Sequence, residues 1–350
     1  MSNETVSFFP LTHDIETLLD FTELLTVQVG DIGTYKEDSK KLRRITDNIR
    51  INKNYAPNEK EIVVVPPDAD IEKLLRYPIP ILKAHEEERQ ILLSQRHAVK
   101  LGISGSHVKK IEKLPESFTF QKDYRKLFEF PVPVFGVLGT EESCGKFRLQ
   151  LSLKKYFDDH SIKTAFVCSN HLGALSGMYT IPEELFGNTY TFSEKVSYLN
   201  QYLSNIYFEM KPDMIVLGVP GGVFSLQDNE NDYYSEFAHV FSHVLKFDAV
   251  SLNLFRNEER TDEILDAIDS YMAYIFTTSV YMYGVSSMIA KRINDSDEYE
   301  MLDTHSYVTE KQPCVRRETG SWIVDTGDMR GIYCVLDHMV DEMQDGIHSL

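Results

Sequence analysis

The sequence predicts a two-domain α/β protein, each domain a parallel sheet with flanking helices, and three observations predict it. At 350 residues the chain exceeds the size at which a single hydrophobic core keeps growing, so two domains are expected. From residue 132 onward short apolar runs alternate with longer helical patterns, the rhythm of β-α-β units with right-handed crossovers. Between the first of those runs and the first of those helices lies GTEESCGKF, residues 139–147, a glycine loop in the strand, loop and helix order that phosphate-binding loops need.

The first hundred residues read as a small Rossmann-like α/β domain, residues 1–115. TVSFFP, TVQVGDIG and EIVVVPPDAD are short strands. DIETLLDFTELL carries residues 15, 18, 19, 22 and 25 on one helical stripe, with Asp14 as its expected N-cap. ILKAHEEERQILLSQRHAVKLG is expected to form one long helix closed by Gly102. No G-x-G-x-x-G occurs, so a dinucleotide site there lacks its main warrant. The strand ends near Phe9 to His13 and Pro66 to Asp70 are where such a sheet offers a crevice. Residues 116–131, rich in turn formers and mixed charge, are the expected linker.

Residues 132–350 form the second domain. PVPVFGVLG, KTAFVCSN, PDMIVLGVPGG, FDAVSLNLF and VSSMIAKRI are its expected strands, short, apolar and bounded by turn residues. SEKVSYLNQYLSNIYFEM, NDYYSEFAHVFSHVLK and TDEILDAIDSYMAYIF are its helices. FRLQLSL alternates like a strand, but the glycine loop before it argues for a helix. The tail IYCVLDHMVDEMQDGI places apolar residues at 332, 335, 336, 339 and 343, the pattern of a docking helix.

Composition bounds the function. With 42% apolar residues the chain can bury a substantial interior, which excludes disorder. The net charge is −18, from 54 acidic against 36 basic residues; this field disfavours nucleic acid and anionic membranes and attracts a basic peptide. Cys144, Cys168, Cys314 and Cys334 form no C-x-x-C pair, as expected in a reducing compartment. No window reaches the roughly 18 apolar residues of a membrane span, and the start of the chain has no signal-peptide pattern. A cytoplasmic location is expected.

The glycine loop carries the chemistry. In a phosphate-binding loop, glycines let successive amides converge on phosphate oxygens, the helix N-terminus adds partial positive charge, and a lysine adds a full one. Gly139, Gly145 and Lys146 fill those parts, and Thr140, Ser143 and Cys144 are expected to present amides. Five residues separate Gly139 from Gly145, one more than in the common G-x-x-x-x-G-K loop.

That longer spacing resembles dethiobiotin synthetase and its relatives, whose loop reads G-T-x-x-x-x-G-K followed by Ser or Thr. IVLGVPGGVFSL, residues 215–226, is similar to the strand of that family that ends in E-G-A-G-G and an aromatic residue. The resemblance covers about residues 132–260. It implies a P-loop NTPase-like parallel sheet with flanking helices, and a ligand held by Gly139, Thr140, Ser143, Cys144, Gly145, Lys146, Gly221 and Gly222. ATP or ADP is the occupant it implies.

Three departures accompany it. Phe147 stands where the family has the Ser or Thr that ligates magnesium, Gly218 stands where it has a Glu ligand, and FVCSNHLG offers no carboxylate after the next strand. A hard octahedral cation needs those oxygens, and phosphoryl transfer needs the cation's charge. The reading is a phosphate cradle with no metal and no ATP hydrolysis; the alternative is a relic loop with a structural role alone.

The layout of the whole chain looks like the peptide maturation system proteins, in which a Rossmann-like region precedes a variant P-loop domain; Gly177, Met178 and Pro182 in SGMYTIPEELFG match a pattern of that group. This resemblance implies an accessory role in maturing a ribosomal peptide natural product, with a precursor peptide or a peptide-modifying enzyme as partner. It does not specify the reaction or the oligomeric state. A related family with a similar loop, N-acetyltransferases acting on D-glutamate, implies acetyl-CoA as another occupant and a transferase as an alternative. A non-catalytic scaffold subunit is the third reading.

Other constellations are weaker. His239 and His243 stand four apart on a helix but opposite its apolar face of Phe237, Val240, Phe241 and Val244, the position of solvated residues. Cys144, beside Lys146 at a helix N-terminus, has the setting that lowers a thiol pKa, yet no base or acid flanks it; a small residue that fits the loop is the expected role. Arg316 and Arg317 are read as a surface pair, with a nucleotide contact as the alternative.

Overall fold

The computed structural model describes residues 4–35, 51–52, 61–122, 126–224, 235–292, 299–303 and 314–348. Ser225 and Leu226 of the second motif, residues 231–234 at the head of an expected helix, and Ile293 at the end of an expected strand lie outside them. In chain order the first elements are β1 (Thr5–Phe8), α1 (His13–Leu19), β2 (Gln28–Gly33), β3 (Ile51–Asn52), β4 (Ile62–Val64), α2 (Ile71–Arg76), α3 (Ile79–Glu86), β5 (Ile91–Leu92), α4 (Gln95–Leu101) and β6 (Val108–Lys109). There follow β7 (Val134–Gly139), α5 (Lys146–Asp159), β8 (Thr164–Cys168), β9 (Tyr179–Thr180), α6 (Phe192–Met210), β10 (Met214–Gly218), α7 (Glu236–Val244), β11 (Ala249–Leu254), α8 (Asp262–Phe276) and β12 (Val280–Val285). The last are β13 (Met288–Arg292), β14 (Tyr299–Asp303), β15 (Val315–Arg316), β16 (Trp322–Asp325) and α9 (Met329–His348).

Two compact units result: residues 1–114 with 170–187, and residues 115–169 with 188–350. In the first, six strands pair in the order β3-β2-β1-β4-β5-β6, every pairing parallel. Val6, Phe8, Val63 and Val64 are buried, as expected for strands covered on both faces. Segment 170–187 is tied to this unit by Thr26, which gives its amide (2.9 Å) and hydroxyl (3.0 Å) to the Leu175 carbonyl, and by Lys113, whose ammonium reaches the Gly177 carbonyl at 2.7 Å.

Two expectations in this unit are corrected. The α1 N-cap is Thr12, whose hydroxyl accepts from the Ile15 amide at 3.4 Å; the helix ends at Leu19, and Thr22 begins a separate 3₁₀ turn. The expected long helix over residues 81–102 is broken in two. Its middle supplies β5, because Glu88 takes a left-handed φ of 53° and Ile91 pairs with Val63 and Val108. Ser94 then caps α4, its hydroxyl accepting from the His97 amide at 3.2 Å, and Gly102 closes it at φ 67° as expected.

In the second unit the strands run β15-β16-β12-β11-β7-β10-β8. All pairings are parallel except the short edge pair β15 with β16. This is a P-loop NTPase-like sheet with flanking helices, the glycine-loop strand β7 at its centre. FRLQLSL is helical within α5. Its strand-like alternation arises because the helix is buried nearly all round, with Leu149, Gln150, Leu151, Ser152 and Leu153 all inaccessible, so no polar face marks the period. VSSMIAKRI supplies a strand, but not one of the parallel sheet: Val285 ends β12, and Met288–Arg292 pair antiparallel with β14 in a separate two-stranded sheet. The parallel strands that complete the sheet are β12 and β16. The tail is the expected docking helix, with Ile332, Val335, Leu336 and Met339 buried and Tyr156 donating to Asp337 at 2.8 Å.

The arginine pair also needs correction. Arg316 lies on the surface against Glu342 at 2.9 Å, but Arg317 is buried and reaches Asp262 (3.4 Å), Asp266 (2.6 Å) and Asp269 (3.0 Å) on α8. It fastens the β15–β16 edge to α8. Among the described residues no helix is long and apolar enough to cross a membrane.

Arg317→Met is expected to cost roughly 2–4 kcal/mol in urea unfolding, because it removes a charge network at a buried position. Asp262→Asn, at a side chain 85% exposed, is expected to cost less than about 0.5 kcal/mol.

Candidate functional site

The connections from β7 and β11 leave in opposite directions along the sheet, β7 toward β10 and β8, β11 toward β12. Adjacent strands that diverge in this way open a crevice beyond their carboxyl ends, where α/β sheets bind ligands. Gly139 and Asn253 lie side by side at that point. The loop 139–146 therefore sits at the switch point of the sheet.

Its shape follows from its residues. Ser143 and Gly145 adopt left-handed φ of 58° and 82°, which turns the chain sharply into the 14-residue helix α5. A Cβ on Gly139 would stand 2.1 Å from the Cys144 sulfur and 3.1 Å from Lys146 Nζ, so only glycine fits. A Cβ on Gly222 would stand 2.5 Å from the Thr140 carbonyl oxygen, and the Val223 amide donates to the Gly139 carbonyl at 2.9 Å. The two glycine motifs are thus locked together. Lys146, buried to 7% exposure, joins them: its ammonium donates to the Glu141 carbonyl at 2.8 Å and to the Gly221 carbonyl at 2.6 Å.

The candidate residues divide by what they do. Gly139, Gly145 and Lys146 shape the loop and charge it; Gly221 and Gly222 form its second wall. Ser143 makes the left-handed turn. Thr140 gives its amide to the Asn253 carbonyl at 2.9 Å, so that amide serves the sheet rather than a ligand. The Cys144 thiol is fully buried, donates to the Glu141 carbonyl at 3.0 Å, and packs with Phe255 and Met288. Burial pushes its pKa up, outweighing the Lys146 charge; the activating setting expected from the sequence is not realised.

The departures from the metal-binding pattern have structural causes. Phe147 is buried. Position 218 has no room for a side chain: a Cβ there would lie 2.4 Å from the Gln150 amide nitrogen. Gln150, inaccessible on α5, donates to the Val167 carbonyl at 3.2 Å and accepts from the Ser169 hydroxyl at 3.0 Å and the Cys168 thiol at 3.3 Å. A neutral amide occupies the space a carboxylate would need. Among the described residues no group of three or more His, Cys, Asp or Glu is placed to hold a metal ion. His239 and His243 are exposed, the His239 carbonyl lying 2.8 Å from His243 Nδ1.

Several residues that shape the site escaped the sequence reading. Asn253 reaches the Cys144 carbonyl from its Nδ2 at 3.4 Å. Ser286 presses on Gly145, leaving 2.7 Å to a Cβ there. Glu258, in the loop after β11, accepts from the Thr140 hydroxyl at 2.8 Å; burial raises its pKa, with the Thr140 bond and the Arg260 charge opposing. None belongs to a local motif, and only the pairing of β11 with β7 and of β12 with β11 brings them in.

The first unit has a polar cluster of its own at the ends of β1 and β4. Thr12 donates to Asp68 at 2.7 Å, the Asp14 amide donates to Asp68 at 3.1 Å, and Asn170 donates to the Asp14 carboxylate at 2.6 Å. Burial, then the Asp68 charge, raises the Asp14 pKa. Gly177 and Met178 of the G-M pattern pack on this unit, Met178 buried and Gly177 at φ 77°.

Two tests follow. Gly218→Ala is expected to lose roughly 1–3 kcal/mol through overpacking, and Gln150→Ala in the same chain is expected to recover part of that loss in a double-mutant cycle. Since the folded Asp14 holds its proton more tightly than the unfolded chain does, its contribution to stability falls as pH rises above the ordinary carboxylate range. Asp14→Asn is therefore expected to raise the melting temperature by about 2–4 °C at pH 8 and by less at pH 5.

No protein-family model and no curated protein sequence matches the chain. Its fold is similar to that of a DUF1611 family protein from Anabaena variabilis ATCC 29413, with a TM-score of 0.54 and 11% identity over 81% of this chain and 88% of that one. At that identity the shared property is the fold. An LAO/AO transport system kinase matches with a TM-score of 0.33 and 10% identity over 63% and 62% of the two chains. A Helicobacter pylori folylpolyglutamate synthetase matches at 0.24 and 15% over 45% and 39%. Both of these likenesses are too slight to bear on the fold.

Proposed function

We propose that the second unit binds a nucleotide or another phosphate-bearing ligand through Gly139 to Lys146, without hydrolysing ATP. The observation that carries this reading is the position of Lys146. Its ammonium sits between the Glu141 and Gly221 carbonyls, at the N-terminus of α5 and at the switch point of the sheet. Both features attract an anion.

The lack of hydrolysis rests on the same geometry. A phosphoryl group in transfer gathers negative charge that a divalent cation normally neutralises. Here Phe147 and Gly218 supply no oxygen, and Gln150 fills the space beside Gly218. A pyrophosphate can be held by amides and one ammonium group; its cleavage lacks the cation.

The setting proposed for this activity is an accessory role in peptide maturation, with a precursor peptide or its modifying enzyme as partner. It rests on the sequence resemblance, and the net charge of −18 supports a basic partner. A transferase using acetyl-CoA would employ the same cradle.

Thermal-shift measurements with ATP, ADP and acetyl-CoA, each with and without magnesium, test the reading on wild type and Lys146→Ala. Ligand at about 100 times its Kd is expected to stabilise wild type by roughly 2.7 kcal/mol and to leave Lys146→Ala unmoved. Selective stabilisation by acetyl-CoA would favour the transferase. No shift with any ligand would reject the cradle.

A further inference from the structure

We propose that Glu258 makes occupation of the cradle depend on a proton: the site binds its phosphate-bearing ligand together with a proton taken up on the Glu258 carboxylate. The inference rests on the phosphate reading above and adds to it the condition under which the site accepts an anion.

The geometry is direct. Thr140 is the second residue of the cradle, and its hydroxyl donates to Glu258 Oε1 at 2.8 Å. Its amide is bonded to the Asn253 carbonyl, so the loop bearing Glu258 and the strand before it are anchored to the cradle at one residue. Glu258 cannot swing away without breaking that contact. A phosphate entering the loop therefore meets a carboxylate one side chain distant, in a partly buried setting where like charges repel strongly.

Little nearby charge relieves that repulsion. On its own loop, Arg260 faces Glu258 and holds its pKa down, an influence smaller than the upward push of burial. Arg260 Nη1 donates to the Arg256 carbonyl at 3.0 Å and the Glu258 carbonyl at 2.9 Å. Arg256 is paired with the buried Asp325 at 2.6 Å. On the cradle side stand Glu141, Lys146 and Cys144; Lys146 is shared between two carbonyls, and the Cys144 thiol stays protonated because burial raises its pKa. The turn Ser286–Met288, which packs on Gly145 and Cys144, has no charged side chain.

Proton uptake resolves the conflict. The neutral carboxylic acid keeps its contact with Thr140 and places no charge beside the ligand. Burial already shifts Glu258 in that direction, and a bound anion shifts it further. By linkage, affinity is greatest below the pKa of the empty site. It falls by up to tenfold per pH unit as pH rises between the pKa values of the empty and occupied sites. Glu258→Gln keeps an oxygen for the Thr140 hydroxyl and removes the titration.

The test is ADP binding by calorimetry between pH 5 and pH 8.5, in EDTA and separately with magnesium, on wild type, Glu258→Gln and Lys146→Ala. The Gln variant carries the titration of ADP itself, so the difference between the two pH profiles belongs to Glu258. In EDTA, Glu258→Gln is expected to bind ADP at least tenfold more tightly than wild type at pH 8, with the gap closing toward pH 5. Wild type alone is expected to take up a proton on binding beyond that taken by ADP. Parallel profiles for the two proteins would overturn the proposal while leaving the cradle intact. So would a wild type that gains its affinity at pH 8 from magnesium through Glu258, since a cation would then be doing the proton's part. Absence of ADP binding to wild type and Glu258→Gln at every pH would overturn both this inference and the phosphate reading.

Discussion

The Lys146 ammonium group, held between the carbonyls of Glu141 and Gly221, is the interaction on which the second unit's site depends. It joins a loop after β7 to a loop after β10, two segments that are far apart in sequence and adjacent only because the two strands pair in parallel. A lysine buried to this degree needs acceptors, and the main chain supplies them. That arrangement keeps a positive charge at the helix N-terminus, where an anion can compete for it. The close approach of Gly222 to Thr140 and the hydrogen bond from Val223 to Gly139 hold the two loops in that relation.

Around this charge, packing fills the positions where the resembled P-loop family places metal ligands. Gln150 fills the space beside Gly218 and bonds to the ends of β8, while Phe147 is buried in the first turn of α5. These are neutral solutions to a geometry that elsewhere takes oxygens and a cation. They leave the negative charge of any ligand to be balanced by other means. Glu258, a carboxylate that the pairing of β11 with β7 brings to the cradle, makes that balance harder when ionised and easier when protonated.

Much of this could be read in the sequence because strand, loop and helix were contiguous. GTEESCGKF announced its own structure, since glycine spacing, a preceding apolar run and a lysine are local features. FRLQLSL could be placed in a helix for the same reason, despite its misleading alternation. What could not be read depended on pairing across the sheet. Glu258, Asn253 and Ser286 are ordinary loop and strand residues until β11 and β12 take their places beside β7. Gln150 lay in plain view one helical turn beyond Lys146, but its contact with Gly218 needs the third dimension. The middle of ILKAHEEERQILLSQRHAVKLG failed as a helix because Ile91 and Leu92 gain more by joining a buried parallel sheet than propensity can express. Arg317 reads as a surface residue in the sequence because its three aspartate partners lie about 50 positions earlier in the chain.

The most direct measurement of the central claim is the ³¹P NMR spectrum of ADP during titration with the protein at pH 6 in EDTA. Contact of the pyrophosphate with the loop amides and Lys146 predicts a saturable shift or broadening of both phosphorus lines that does not require magnesium. Lines that stay unmoved in EDTA at protein concentrations above that of the nucleotide would contradict the account, and lines that move only when magnesium is added would do the same.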